Sequence, residues 1–169
     1  RNTQLNHIYG LFEVTDGIYQ VRGYDMSNVT FIKGDTGWIV VDPLMSVECA
    51  QAALALVEEN LGTFPVKAVI YSHSHVDHFG GVKGIVSEEE VQAGNVQVIA
   101  PEGFKKHAVS ENIYAGTAMG RRASYQYGTM LEGGETGSLA IGIGMGQSKG
   151  STSYISPTLE ITQTGEKHT

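Results

Sequence analysis

Residues His73-Ser74-His75-Val76-Asp77-His78 bring four metal-competent side chains into six positions. Imidazole suits zinc and other borderline transition metals, and a carboxylate also accepts harder ions. In an extended segment, residues two apart point to the same side, so His73 and His75 can address one ion. Once the backbone turns, Asp77 and His78 can face a second ion close by. Two adjacent ions are a device for hydrolysis, because each can activate water or offset developing charge. A surface histidine cluster is the plainer alternative. Against it, three of the six histidines of the chain fall in this stretch, after the apolar run Val66-Lys67-Ala68-Val69-Ile70-Tyr71-Ser72 and before Phe79-Gly80-Gly81. His7, His107 and His168 have no ligand-spaced neighbour and read as surface or capping residues.

The flanking pattern supplies the elements that must hold this loop. Leu11–Val14 and Ile18–Val21 flank Asp16-Gly17, a hairpin signal. Val29–Lys33 and Trp38–Val41 follow as strands around a Gly34–Gly37 turn, giving a meander with one buried face. Ser46 is a candidate N-cap for a helix whose apolar positions are Cys49, Ala50, Ala53, Leu54 and Val57, with Gly62 past its end. Val66–Tyr71 is too short and too apolar for a surface helix and reads as a buried strand ending at the ligand loop. Asp42 closes the preceding apolar strand. From there it can hydrogen-bond a ligand imidazole or a loop amide.

Beyond the loop, Ser87–Val91 reads as a short capped helix and Val96–Ala100 as a strand ended by Pro101. Glu102–Tyr125 reads mostly as helix, with Phe104, Ala108, Val109, Ile113 and Ala118 as apolar candidates. Gly128–Ser156 is glycine-punctuated, and a loop that long is usually functional or mobile. Thr158–Gly165 reads as a strand entering a turn. Strand-rich at first, then alternating strand and helix, the chain predicts a layered α/β fold.

The totals fit one domain with a sizeable core: 169 residues, 41% hydrophobic and 17% charged. A net charge of −7 with no basic stripe argues against a nucleic-acid partner. No run is apolar enough for a transmembrane helix, and no signal-peptide pattern is present. The single Cys49 excludes an internal disulfide framework and reads as a small buried apolar residue. A start at Arg1 and an abrupt end at Thr169 suggest a trimmed piece of something longer.

The six-residue loop resembles the signature of the metallo-β-lactamase superfamily. Further segments look like the alkyl/aryl sulfatases within it. These are Gly23–Phe31, Gly37–Asp42, Tyr71–Gly84, Glu111–Gly116, Met119 and Arg121–Gly128. The resemblance implies an αββα sandwich, of which this chain would be the N-terminal part of the catalytic domain. The dimerisation and C-terminal lipid-carrier-like domains of those enzymes would be absent. It also implies that His73 and His75 bind one zinc, that Asp77 and His78 bind the other, and that Asp77 stands at the catalytic centre. Further ligands would come from beyond residue 169, so this piece alone would hold one ion weakly or none and hydrolyse little.

The substrates implied are alkyl sulfate esters, primary or secondary, such as dodecyl sulfate, attacked by a metal-activated water. The resemblance also suggests a homodimer and an envelope or secreted bacterial enzyme, although no residue here shows a compartment. Arg121 and Arg122 are candidate sulfate contacts, since guanidinium suits tetrahedral oxyanions. Adjacent helix residues point to different faces, which favours solvated charges instead. Tyr125 and Tyr127 read as packing residues. The loop alone also admits a thioesterase, lactonase, β-lactamase or nuclease, or a metal-binding fragment without catalysis.

Overall fold

The computed structural model describes residues 1–168. One seven-stranded sheet runs in sequence order: β1 (Gly10–Thr15), β2 (Ile18–Arg22), β3 (Val29–Lys33), β4 (Trp38–Val41), β5 (Val66–Ile70), β6 (Gln97–Pro101) and β7 (Leu159–Ile161). The first four are antiparallel, as tight turns allow. The last three pair in parallel, each after a crossover. The crossover from β4 to β5 is α2 (Val47–Leu61), capped by Ser46 Oγ and closed by Gly62 at φ 90°. The Ser87 cap of α3 (Glu88–Gln92) forms a full capping box with Glu90.

Alternation along the strands separates two faces. Val29, Phe31, Trp38, Val40, Val69, Val98 and Ala100 are buried and share one cluster with Ala50, Ala53 and Val57 of α2. Each fully buried Val or Phe contributes about 1.5–3 kcal/mol relative to exposure. The opposite face carries Ile32, Ile39, Ala68, Ile70, Ile99 and Leu159 in lateral register, and all are only half-buried. The described residues thus form one mixed sheet with α2 and α4 (Phe104–Val109) in the cluster on its buried face, as expected for the N-terminal part of a layered α/β fold.

Three expectations change here. The region read as one helix from Glu102 to Tyr125 is three pieces: α4 (Phe104–Val109), a π-helical turn (Ser110–Tyr114) and α5 (Gly116–Tyr127). The wider turn rotates Ile113 out of the apolar stripe, and it is 71% exposed. Ala118 is exposed as well. Residues 2–6, given no element above, form the short helix α1 (Asn2–Asn6). Cys49 is half-buried at the edge of the core rather than inside it.

The glycine-rich stretch after α5 has little regular structure, yet its second half is tied to the core. Ser148 donates through amide and hydroxyl to Asp25, Ser151 does the same to Glu48, and Ser153 Oγ donates to the Gly80 carbonyl. Asp25 also accepts from the amides of Met26, Met45 and Ser46. This buried carboxylate thus staples three loops around the ligand loop. No described helix is long and apolar enough to cross a membrane.

Candidate metal centre

β5 delivers the loop, and β4 delivers its anchor. Asp42 follows β4 with φ 57°, a left-handed conformation that aspartate tolerates better than most residues. Its Oδ1 accepts from the Ser72 amide at 2.8 Å, and its Oδ2 from the Ser72 hydroxyl at 2.7 Å. Oδ2 also lies 2.9 Å from His78 Nδ1. After Ser72 the chain bends through His73–His75 and enters a single 3₁₀ turn, Val76–His78. Ser27 Oγ donates to the Asp77 carbonyl and holds that turn from the β2–β3 side.

Gly80 and Gly81 press backbone against backbone. A Cβ on Gly80 would collide with the Met45 carbonyl, and one on Gly81 with the Pro43 carbonyl. Any side chain here would push the ligand loop away from Asp42.

Two of the imidazoles pack against the third, His73. The ring centroids of His73 and His75 are 4.6 Å apart, and those of His73 and His78 are 4.1 Å apart. Each ring has one nitrogen engaged at the periphery. The Ser72 hydroxyl already donates to Asp42, so it accepts at 2.9 Å from His73 Nδ1, leaving Nε2 bare. His75 Nε2 lies 3.1 Å from Glu111 Oε1, leaving Nδ1. His78 Nδ1 is held by Asp42, and its Nε2 faces Asp77 Oδ2 at 3.1 Å.

Two donors on one tetrahedral zinc, each about 2.0–2.2 Å from it, stand roughly 3.4 Å apart. The gap between His78 and Asp77 is within a few tenths of an ångström of that, and the donor set fits a divalent ion. Among the described residues, no three His, Cys, Asp or Glu side chains converge as a finished ion site.

The charges are mutually supporting. Burial opposes the charge on Asp42, but hydrogen bonds from His78 and Ser72 outweigh it and hold the carboxyl below its ordinary value. Asp77 is likewise lowered, burial being overcome by its bond to His78. Burial disfavours charge on His78, yet its two carboxylate partners push it up to about 9. His73 is lowered, first by burial and then by the neighbouring imidazoles.

Beside the loop lies a cavity of about 360 Å³. Met26, Met45, Val76 and Met119 give it apolar wall, while His75, Asp77 and Glu111 form its polar end. Tyr127 lines it too, half-buried. Tyr125, read as a packing residue, is 87% exposed instead. Arg121 and Arg122 are exposed on α5 and do not line this cavity. His7 and His107 are exposed away from the loop.

Sequence reasoning assigned no part to Asp25, Ser27, Ser72 or Glu111. All four lie in the segments that resemble the sulfatases, and Ser72 also stands between an apolar strand and the first histidine.

The Metallo-beta-lactamase superfamily profile matches residues 22–156. The chain is 55% identical over 168 residues to a linear primary-alkylsulfatase of Pseudomonas sp, covering 99% of this chain and 25% of that protein. It is 49% identical over 169 residues to an alkyl/aryl-sulfatase of Saccharomyces cerevisiae, covering 100% of this chain and 26% of that one. Such relatives are therefore not confined to bacteria. Among solved structures, a stereoselective inverting sec-alkylsulfatase from Pseudomonas sp. superposes with a TM-score of 0.92 at 47% identity, over 99% of this chain and 27% of that one. The chain spans about a quarter of the length of the curated relatives it matches. With the profile match spanning β3 to β6 and the histidine loop, the chain belongs to the metallo-β-lactamase superfamily.

Proposed function

We propose that this chain is the N-terminal part of the catalytic domain of a zinc-dependent alkyl sulfatase. In this reading His73 and His75 hold one zinc, and Asp77 and His78 hold a second. The observation that carries it is the peripheral tethering of all three loop imidazoles, which leaves His73 Nε2 and His75 Nδ1 free and turns His78 Nε2 toward the Asp77 carboxylate, its proposed co-ligand. The similarity to alkylsulfatases over nearly the whole chain supports the substrate class.

When bound, the metal would supply Lewis acidity and a nucleophile drawn from water near neutral pH. The residues of this chain would do the rest. Asp42 orients His78 and, through Ser72, His73. Asp77 brings a carboxylate held ionised into the polar end of the cavity. The methionine-lined wall suits the hydrocarbon part of an alkyl sulfate, since thioether side chains adapt to flexible apolar chains.

The test is a substrate panel on the whole protein: dodecyl sulfate, a secondary alkyl sulfate, a β-lactam and a thioester. Sulfate release that a chelator abolishes is the expected result. Turnover of the β-lactam or thioester without sulfate release would overturn the proposal.

A second reading has its own observation. Since no three donors converge among the described residues, these residues by themselves fit a partial ion site. Zinc titration of the 169-residue chain distinguishes the two cases. One weak site is expected, whereas two sub-micromolar sites with turnover would show a self-sufficient centre.

A further inference from the structure

We propose that Glu111 is a positioning residue for the metal centre: its carboxylate, 3.1 Å from His75 Nε2, engages that nitrogen and so holds the bare Nδ1 of the ring toward the ion. The inference rests on the metal-binding reading above and deepens it.

The loop imidazoles are not held alike. His73 and His78 are both tethered to Asp42, one through Ser72 and one directly. His75 has no such link. Its side chain is 55% exposed, and among the described residues its one polar contact is Glu111 Oε1 at 3.1 Å. An imidazole that exposed turns about its side-chain bonds unless something fixes it. A carboxylate on the distal nitrogen does so, fixing the ring orientation and selecting the tautomer.

The placement of Glu111 has a specific local cause. It lies in the π-helical turn between α4 and α5. A π turn carries more residues per turn than the α-helices flanking it, and such turns recur at functional sites. Asn112 stays within the segment, donating to the Ala108 carbonyl. Glu111 instead reaches the loop, where its second oxygen lies 3.4 Å from the Ser74 hydroxyl. Its side chain is 23% exposed, less than half the value for His75. Glu111, His75 and Asp77 also line the same cavity, so the residue that orients the ring forms part of the wall a substrate would meet.

The experiment uses the whole protein with Glu111→Gln and Glu111→Ala. Zinc affinity is read by chelator competition, and the His75 tautomer by nitrogen-15 NMR of the metal-free form. The Ala variant is expected to lose roughly 10–100-fold in zinc affinity. In it, His75 should shift from the Nε2–H form to a mixture of tautomers. The Gln variant keeps an accepting oxygen and should stay within a few-fold of the parent on both readouts.

Unchanged affinity and tautomer in Glu111→Ala would overturn the proposal. So would a Gln variant as weak as the Ala variant, because that marks Glu111 as an ion ligand in its own right. A parent protein that binds no zinc would instead sink the metal reading, and this inference with it.

Discussion

Asp42 Oδ2 lies 2.9 Å from His78 Nδ1, joining the end of β4 to the last residue of the loop that follows β5. The same carboxylate takes the Ser72 amide and hydroxyl. One side chain therefore sets both ends of the ligand loop. Replacing Asp42 by Ala strands three donors in a part-buried site. We expect a stability loss of about 1–3 kcal/mol by denaturant unfolding. Zinc affinity should fall roughly 10–100-fold by chelator competition, as for other partners of ligand imidazoles. Full zinc affinity in the Ala variant would remove Asp42 from the site.

Two glycines should respond in opposite ways. Gly81→Ala drives a methyl into the Pro43 carbonyl, where neither backbone can yield without moving the loop. A loss of about 1–3 kcal/mol is expected, as for overpacked sites. Gly120 lies inside α5, and a Cβ there meets nothing within 4 Å. Gly120→Ala should stabilise by about 0.5–1 kcal/mol through helix propensity. Equal effects of the two in thermal unfolding would contradict this packing.

Without metal, His78 ties stability to pH. Its folded value near 9 exceeds the ordinary 6.5, so the folded form holds the proton more tightly. That contribution is complete below pH 6.5 and fades as pH rises through about 9. Asp42 and Asp77 are lowered instead, so their contribution is present above the ordinary 3.8 and fades as pH falls below it. From these three groups metal-free stability should peak between about pH 4 and 6.5, while His73, lowered by burial, works against it below 6.5. His78→Asn should flatten the alkaline limb in unfolding curves taken from pH 5 to 10.

The half-buried sheet face makes the isolated chain adhesive. Ile39, Ile70, Ile99 and Leu159 sit side by side across β4 to β7 with no described element over them. Contiguous apolar surface of this kind drives association. Sedimentation of the 169-residue chain should show concentration-dependent oligomers, and Ile39→Lys with Ile99→Lys should shift them toward monomer. A parent chain that stays monomeric at high concentration would count against this.

Arg121 and Arg122 stand in solvent outside the cavity beside the loop. Replacing both by Ala should change kcat/KM for an alkyl sulfate by less than about threefold, since exposed charges away from reacting groups contribute little. A hundredfold loss would bring one of them into the site.

Local rules carried much of the fold. The Ser46 and Ser87 caps, the Asp16-Gly17 hairpin and the period-two strands were legible because each rests on contacts within a few residues. The region after Pro101 was misread for the complementary reason. The π turn keeps a helical composition, and only its register shows that Ile113 faces water and Glu111 the loop. The glycine-rich stretch looked loose because its tethers, Ser148 to Asp25 and Ser151 to Glu48, join residues more than a hundred positions apart.

The sequence by itself determined the donor types and their order, His73, His75, Asp77 and His78, because ligand chemistry is a property of side chains. It also determined the strand that carries them, since apolar runs and turns act locally. Tertiary structure alone decided which nitrogen of each imidazole is tethered at the periphery. That choice depends on Ser72, Glu111 and Asp42, held on separate elements, and hydrogen-bond partners are selected by distance in space rather than by spacing along the chain.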